Sequence, residues 1–254
     1  MQWMLGRFVA AMLAVVLSAC VSQQSTNPYN TDSALTNQAR AHTELGAAYL
    51  QESKFEIALE EFNIALRNDP DYALAYNGLG LVYGTLGENA KADTAFQKAL
   101  QLKPNSSESH NNYGNFLCKT NRYDESINHF LSAVKNPLYE TPHLAYANAG
   151  ICSIRKKDYI NAERYLTAAL QLQPLLHPAA YHLANLQFNR GDVKAAKATL
   201  QNTLIAAPSA EVLWLGIKIE RVLGDKDNEA SYAIQLRKQY PNSAETQLLL
   251  NSQH

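Results

Sequence analysis

Little in this sequence is set up for chemistry or for nucleic acid. Lysine plus arginine number 22 against 23 aspartate plus glutamate, a formal charge of −1. No block of like charges and no basic stripe breaks that balance. This argues against a nucleic-acid partner and against charge-driven adhesion to anionic lipid. The seven histidines never fall into His-Glu-x-x-His or His-x-x-Glu-His, so neither a metal nor another cofactor is expected. There is no β-rich segment. Cysteines number only three. The apolar run at 8–17 is ten residues long, about half of what a membrane span needs.

Two short motif matches carry no chemistry. The stretch from Gly78 through Gly80 to Gly84 superficially suggests a dinucleotide loop. It has one residue too many and falls inside a helical pattern rather than after a strand. Ser132 with Lys135 and Ser153 with Lys156 both match Ser-x-x-Lys, but the partner motifs of penicillin-binding enzymes are missing. Nothing here points to an enzyme.

What is present is a 34-residue rhythm. Gly46, Gly80 and Gly114 are spaced by 34, and Gly150 follows after 36. Tyr49, Ala58, Phe62, Ala65 and Pro70 recur as Tyr83, Ala92, Phe96, Ala99 and Pro104. Self-similarity at this period means stacked helix pairs. Small residues let two helices approach, aromatics fill between them, and Asp69-Pro70 or Lys103-Pro104 stops the second helix. One pair cannot bury its apolar face alone, so neighbours must stack into an array with a long concave surface.

The spacing resembles the tetratricopeptide repeat. That resemblance implies an all-α, right-handed superhelical solenoid of six helix pairs, at 39–72, 73–106, 107–142, 143–176, 177–210 and 211–244. The third unit is two residues long, and the sixth is weak, with Pro241 one place early. Residues 245–254 are read as a tail.

The N-terminus gives an address. Arg7, the apolar run and Leu17-Ser18-Ala19-Cys20 look like a lipoprotein signal with a lipobox, so 1–19 would be cleaved and Cys20 lipidated. The absence of aspartate after Cys20 favours the outer membrane, as that resemblance implies. Residues 20–38, polar and without helical periodicity, read as a flexible tether to a periplasmic repeat domain.

Cys118 and Cys152 fall in the first helices of units three and four, which pack side by side. An oxidising periplasm favours a bridge between them; the alternative is two buried thiols.

In tetratricopeptide repeats, positions 2, 5, 9, 12 and 13 of the first helix usually line the groove. Carried onto this chain, the partner-binding groove would present Arg40, Thr43, Leu50, Asn77, Leu81, Asn111, Asn115 and Lys119. Side-chain amides both donate and accept, so a row of them could grip an extended peptide backbone. A second, apolar groove would present Leu144, Ile151, Ile154, Val212, Leu215, Ile219, Val222 and Leu223.

The stretch His110-Asn111-Asn112-Tyr113-Gly114-Asn115-Phe116-Leu117-Cys118, with Ala147-Asn148-Ala149-Gly150-Ile151-Cys152, goes beyond the generic repeat. With the lipobox and six units it resembles the PilW/PilF family of type IV pilus biogenesis lipoproteins. The resemblance implies a pilotin. Its partner would be the pilus secretin, which it would help to reach the outer membrane and assemble. The alternative is a periplasmic scaffold lipoprotein serving another envelope machine, such as wall synthesis or outer-membrane protein assembly.

Overall fold

The computed structural model describes residues 28–252, with side chains from Ser33 onward. These form thirteen helices and, among the described residues, no strand. They pair as α1 (Pro28–Gln51) with α2 (Phe55–Asn68), α3 (Ala73–Leu86) with α4 (Asn89–Leu102), and α5 (Ser107–Lys119) with α6 (Tyr123–Ala133). Then come α7 (Pro142–Arg155) with α8 (Tyr159–Leu172), α9 (His177–Arg190) with α10 (Val193–Ala206), and α11 (Ala210–Leu223) with α12 (Lys226–Gln239). A last helix, α13 (Ala244–Asn251), packs against α11 and α12 and has no pair-mate among the described residues.

From α1 to α11 each odd-numbered helix lies close to its pair-mate and to the next odd-numbered helix, whereas the even-numbered helices stand farther apart. One layer is therefore tighter than the other, and the stack curves toward the first helices. This is the superhelical solenoid of six tetratricopeptide-type pairs.

The repeated core is a ring laid on a bare backbone. Phe62, Phe96 and Phe130 are each 1% exposed and lie over Gly46, Gly80 and Gly114. A Cβ added to Gly114 would stand 2.7 Å from the Phe130 ring, closer than packed atoms tolerate. In unit four Leu166 takes the ring's place over Gly150. This close packing also accounts for the glycines of α3, which sit mid-helix and are mostly buried.

The turn between paired helices sets the register. Its left-handed residue is Ser53, Gly87, Asn121, Lys157, Gly191 and Gly224 in successive units. Each stands at repeat position 15 if unit six begins at Ala210, where α11 also begins. Pro241 then falls in register. The expected boundary at 211 is thus one residue late, and unit five spans 177–209.

Two further expectations change. Residues 28–38, read as part of the tether, belong to α1. Residues 245–251, read as a tail, belong to α13, whose Leu249 is 1% exposed in the core of the last unit. Residues 1–19 and Cys20 lie outside the described residues.

Candidate partner-binding surface

The concave layer does not present the expected row of amides. Asn77 is 4% exposed, and its side-chain oxygen accepts from Asn112 Nδ2 of the next unit at 3.4 Å. One unit on, Asn148 Nδ2 donates to Asn111 Oδ1 at 3.1 Å. These amides bond to one another between adjacent first helices, at repeat positions 5 and 6, and hold the units in register. Thr43 is also buried, its hydroxyl donating to the Ala39 carbonyl. Arg40, Asn115 and Lys119 are exposed, and Leu50, Leu81 and Asn111 are half-buried. Lys119 Nζ lies 3.4 Å from the Gly84 carbonyl of the preceding unit.

The expected apolar groove is largely buried. Leu215 and Ile219 are each 1% exposed, and Val212 is buried with them among Leu200, Leu236 and Leu249. The cause is the one-residue register error: one residue turns a helix by about 100°. The stripe faces the core and α13. Leu144 and Val222 remain exposed, while Ile151 is half-buried against Leu166 and Leu183.

With unit six beginning at Ala210, its groove positions are Glu211, Trp214, Lys218, Arg221 and Val222. Those of unit five include Tyr181, Asn185 and Phe188. Lys218 Nζ lies over the Phe188 ring, 5.2 Å from its centre. Burial pushes the Lys218 ammonium below its ordinary pKa. Arg221 instead donates to Glu229 at 2.7 Å. In the sequence, Pro241 and Gly224 mark this register, standing where Pro70 and Gly87 stand in earlier units.

Cys118 and Cys152 are bonded, with Cα atoms 5.8 Å apart. The bridge ties α5 to α7 at the junction where the repeat lengthens. Beside it, the Ser126 hydroxyl donates to the Gly114 carbonyl at 2.7 Å.

Position 4 carries polar pairs in two units. His42 Nδ1 lies 2.6 Å from Glu61 Oε2. His110 Nδ1 lies 2.8 Å from His129 Nδ1, and His110 Nε2 is 2.9 Å from the Pro104 carbonyl. A carbonyl only accepts, so His110 carries its proton on Nε2. His129 Nδ1–H therefore donates to the bare His110 Nδ1. Desolvation, then the neighbouring His110, lowers the His129 pKa to about 4.

The serines of the Ser-x-x-Lys matches are not poised for attack. Ser153 is fully buried and Ser132 half-buried, while Lys156 pairs with Asp124. No group of three or more His, Cys, Asp or Glu side chains among the described residues could hold a metal. No described helix is long and apolar enough to cross a membrane.

Stacked helix pairs, a concave first-helix layer and position-specific packing define a tetratricopeptide-repeat protein, a class that works by binding other proteins. Tetratricopeptide-repeat family models match residues 43–107, 95–128 and 153–215. The chain is 33% identical over 239 residues to the type IV pilus assembly protein PilF of Pseudomonas aeruginosa, spanning 93% of this chain and 94% of that protein. The solved structure of Pseudomonas aeruginosa PilF superposes with a TM-score of 0.79 at 30% identity, over 86% of this chain and 99% of that one. The crystal structure of PilW, described as a widely conserved type IV pilus biogenesis factor, gives 0.74 at 34% identity, over 84% and 98%. The chain belongs to the PilF/PilW family of tetratricopeptide-repeat proteins of type IV pilus biogenesis.

Proposed function

We propose that this protein is an outer-membrane lipoprotein, anchored through Cys20, that acts as a pilotin for the pilus secretin. The observation that carries this reading is the family match along nearly the whole chain, joined to a concave layer suited to an extended segment. Acyl chains on Cys20 would hold the solenoid at the periplasmic face of the outer membrane. The groove would then keep a secretin segment near the site of ring assembly. Arg40, Asn115 and Lys119 supply exposed polar groups, and Leu50 and Leu81 supply half-buried apolar ones. Asn77 and Asn111 support the reading only indirectly, by fixing the spacing of the first helices.

The test is made in cells lacking the chromosomal copy. Wild-type protein restores secretin multimers and pili and captures the secretin from solubilised membranes. A Cys20→Ala chain leaves secretin monomers and is absent from the outer membrane. Full multimer formation without any copy of the protein would end the pilotin reading. Capture of a wall-synthesis enzyme in place of the secretin would replace the secretin with that machine.

A further inference from the structure

Five of the described lysines form ion pairs with carboxylates. Lys54, Lys91, Lys156, Lys197 and Lys226 each meet a carboxylate within 3.0 Å. Lys218 meets none among the described residues, although it is half-buried and its ammonium sits on the Phe188 ring. An exposed lysine without a partner is ordinary, because water solvates it. A half-buried one has lost part of that hydration and received only a ring face in return.

Its surroundings are those of a binding cradle. Phe188, Tyr181 and Trp214 are partly buried with their remaining surface at groove positions. The acids on this face lie toward the other end of the first helices, where Glu211 and Glu245 act on Tyr181. One edge of the cradle is therefore negative, and its middle holds an uncompensated positive charge.

We propose that the concave face of units five and six holds an extended segment of a protein partner by an acidic side chain. The carboxylate pairs with Lys218, and flanking apolar side chains lie on Phe188, Tyr181 and Trp214. The negative edge fixes the orientation, since the acidic residue cannot sit beside Glu211. Two units back, Arg155 is exposed on the same face beside His182. First helices pack about 8–10 Å apart, so Arg155 and Lys218 are separated by about 20 Å, or about six extended residues. A second acidic residue at that spacing would engage both.

This inference rests on the concave face being the binding face, not on the secretin being its occupant. The probe is a randomised nine-residue peptide library displayed internally between fixed flanks, so that no peptide offers a free C-terminus. Selection on the full chain should enrich aspartate or glutamate at one position, flanked by apolar residues. Exchanging that acid for its amide should weaken binding about tenfold. Lys218→Met keeps the apolar stem on Phe188; it should remove the acid-over-amide preference and leave the amide peptide's affinity unchanged.

No acidic enrichment, equal binding of acid and amide peptides, or an undiminished preference in Lys218→Met would overturn the inference. Should Lys218→Met fail to fold, the acid-to-amide exchange on the wild-type chain decides alone. Free C-terminal peptides binding better than internal ones would assign the cradle to a chain end instead, and overturn it too. Secretin capture by the wild-type chain, scored separately, reports on the pilotin reading.

Discussion

Lys197 on α10 places its ammonium 2.7 Å from the carboxylate of Glu220 on α11, and Glu220 is 1% exposed. Glu220 occupies the repeat position that holds Tyr49 and Tyr83 in the first two units. A charge has replaced a packing ring, and it is tolerated because the neighbouring helix supplies its counter-ion. Removing one member of such a pair leaves a buried charge alone, at a typical cost of about 3–5 kcal/mol. Lys197 is partly exposed, and Asp225 also leans on it, so Lys197→Met should cost about 2–3 kcal/mol at neutral pH. The double change Lys197→Met, Glu220→Leu should recover most of that loss. Urea midpoints of the three proteins check this; a single variant as stable as wild type would refute it.

Lys157 turns the chain at φ 66° between α7 and α8, where units two, five and six use glycine. A side chain in that conformation costs about 1 kcal/mol relative to glycine. Lys157→Gly should therefore raise stability by about 0.5–1 kcal/mol, and Ser53→Gly, at φ 59°, by a similar amount. Neither should alter partner binding, because both sit at the turn. Thermal melts showing a loss in both variants would contradict the strain argument.

The Cys118–Cys152 bond closes a loop of 34 residues. A loop of that size is worth about 3–4 kcal/mol through the entropy it removes from the unfolded chain. Protein expressed into an oxidising periplasm should show no free thiol when unfolded without reductant. Reduction, or Cys118→Ser, should lower stability by about that amount. Thiol titration finding two reactive sulfhydryls per chain would show the bond absent in the cell.

Acid should loosen the third unit. Desolvation, then the neighbouring His110, holds His129 near a pKa of about 4, against about 6.5 when unfolded. The folded state thus favours the neutral ring. Its contribution is fully present above about pH 6.5 and is lost as pH falls toward 4; below that it no longer changes. Solvent reaches part of the ring, so the effect is about 1–2 kcal/mol. His129→Gln should flatten the stability–pH curve between pH 6.5 and 4. A curve parallel to wild type across that window would exclude the His110–His129 pair as its source.

The repeat was legible because glycine, alanine, phenylalanine and proline recur at fixed intervals, and those residues are the packing itself. The groove was less so, for reasons that differ by residue. Asn77 and Asn111 sit at groove positions, but nothing in one helix tells that Asn112 and Asn148 of the following helices will reach back to them. Leu215 and Ile219 fall one residue off the groove because unit five is a residue short, which the sequence marks only through Gly224 and Pro241. Lys218 takes a groove position only in the register that begins at Ala210. The sequence carries no mark of the helical start at Pro28, whose first two turns lack an apolar stripe, or of α13, a single helix with no repeat to match.

The outer helices of this stack stand farther apart than the inner ones, and ion pairs such as Asp93 with Arg122 and Glu163 with Arg190 cross the gaps between units. A closely packed inner layer resists closing, whereas partly exposed ion pairs hold the outer gaps only weakly, so the curve opens more readily than it closes. One junction is barred from sharing. The bond between α5 and α7 welds the inner layer between units three and four. The solenoid is thereby divided into two compliant arms about a stiff middle. A segment bound in the groove would then spread the arm bearing Arg40 and Leu50 without spreading the arm bearing Phe188 and Lys218.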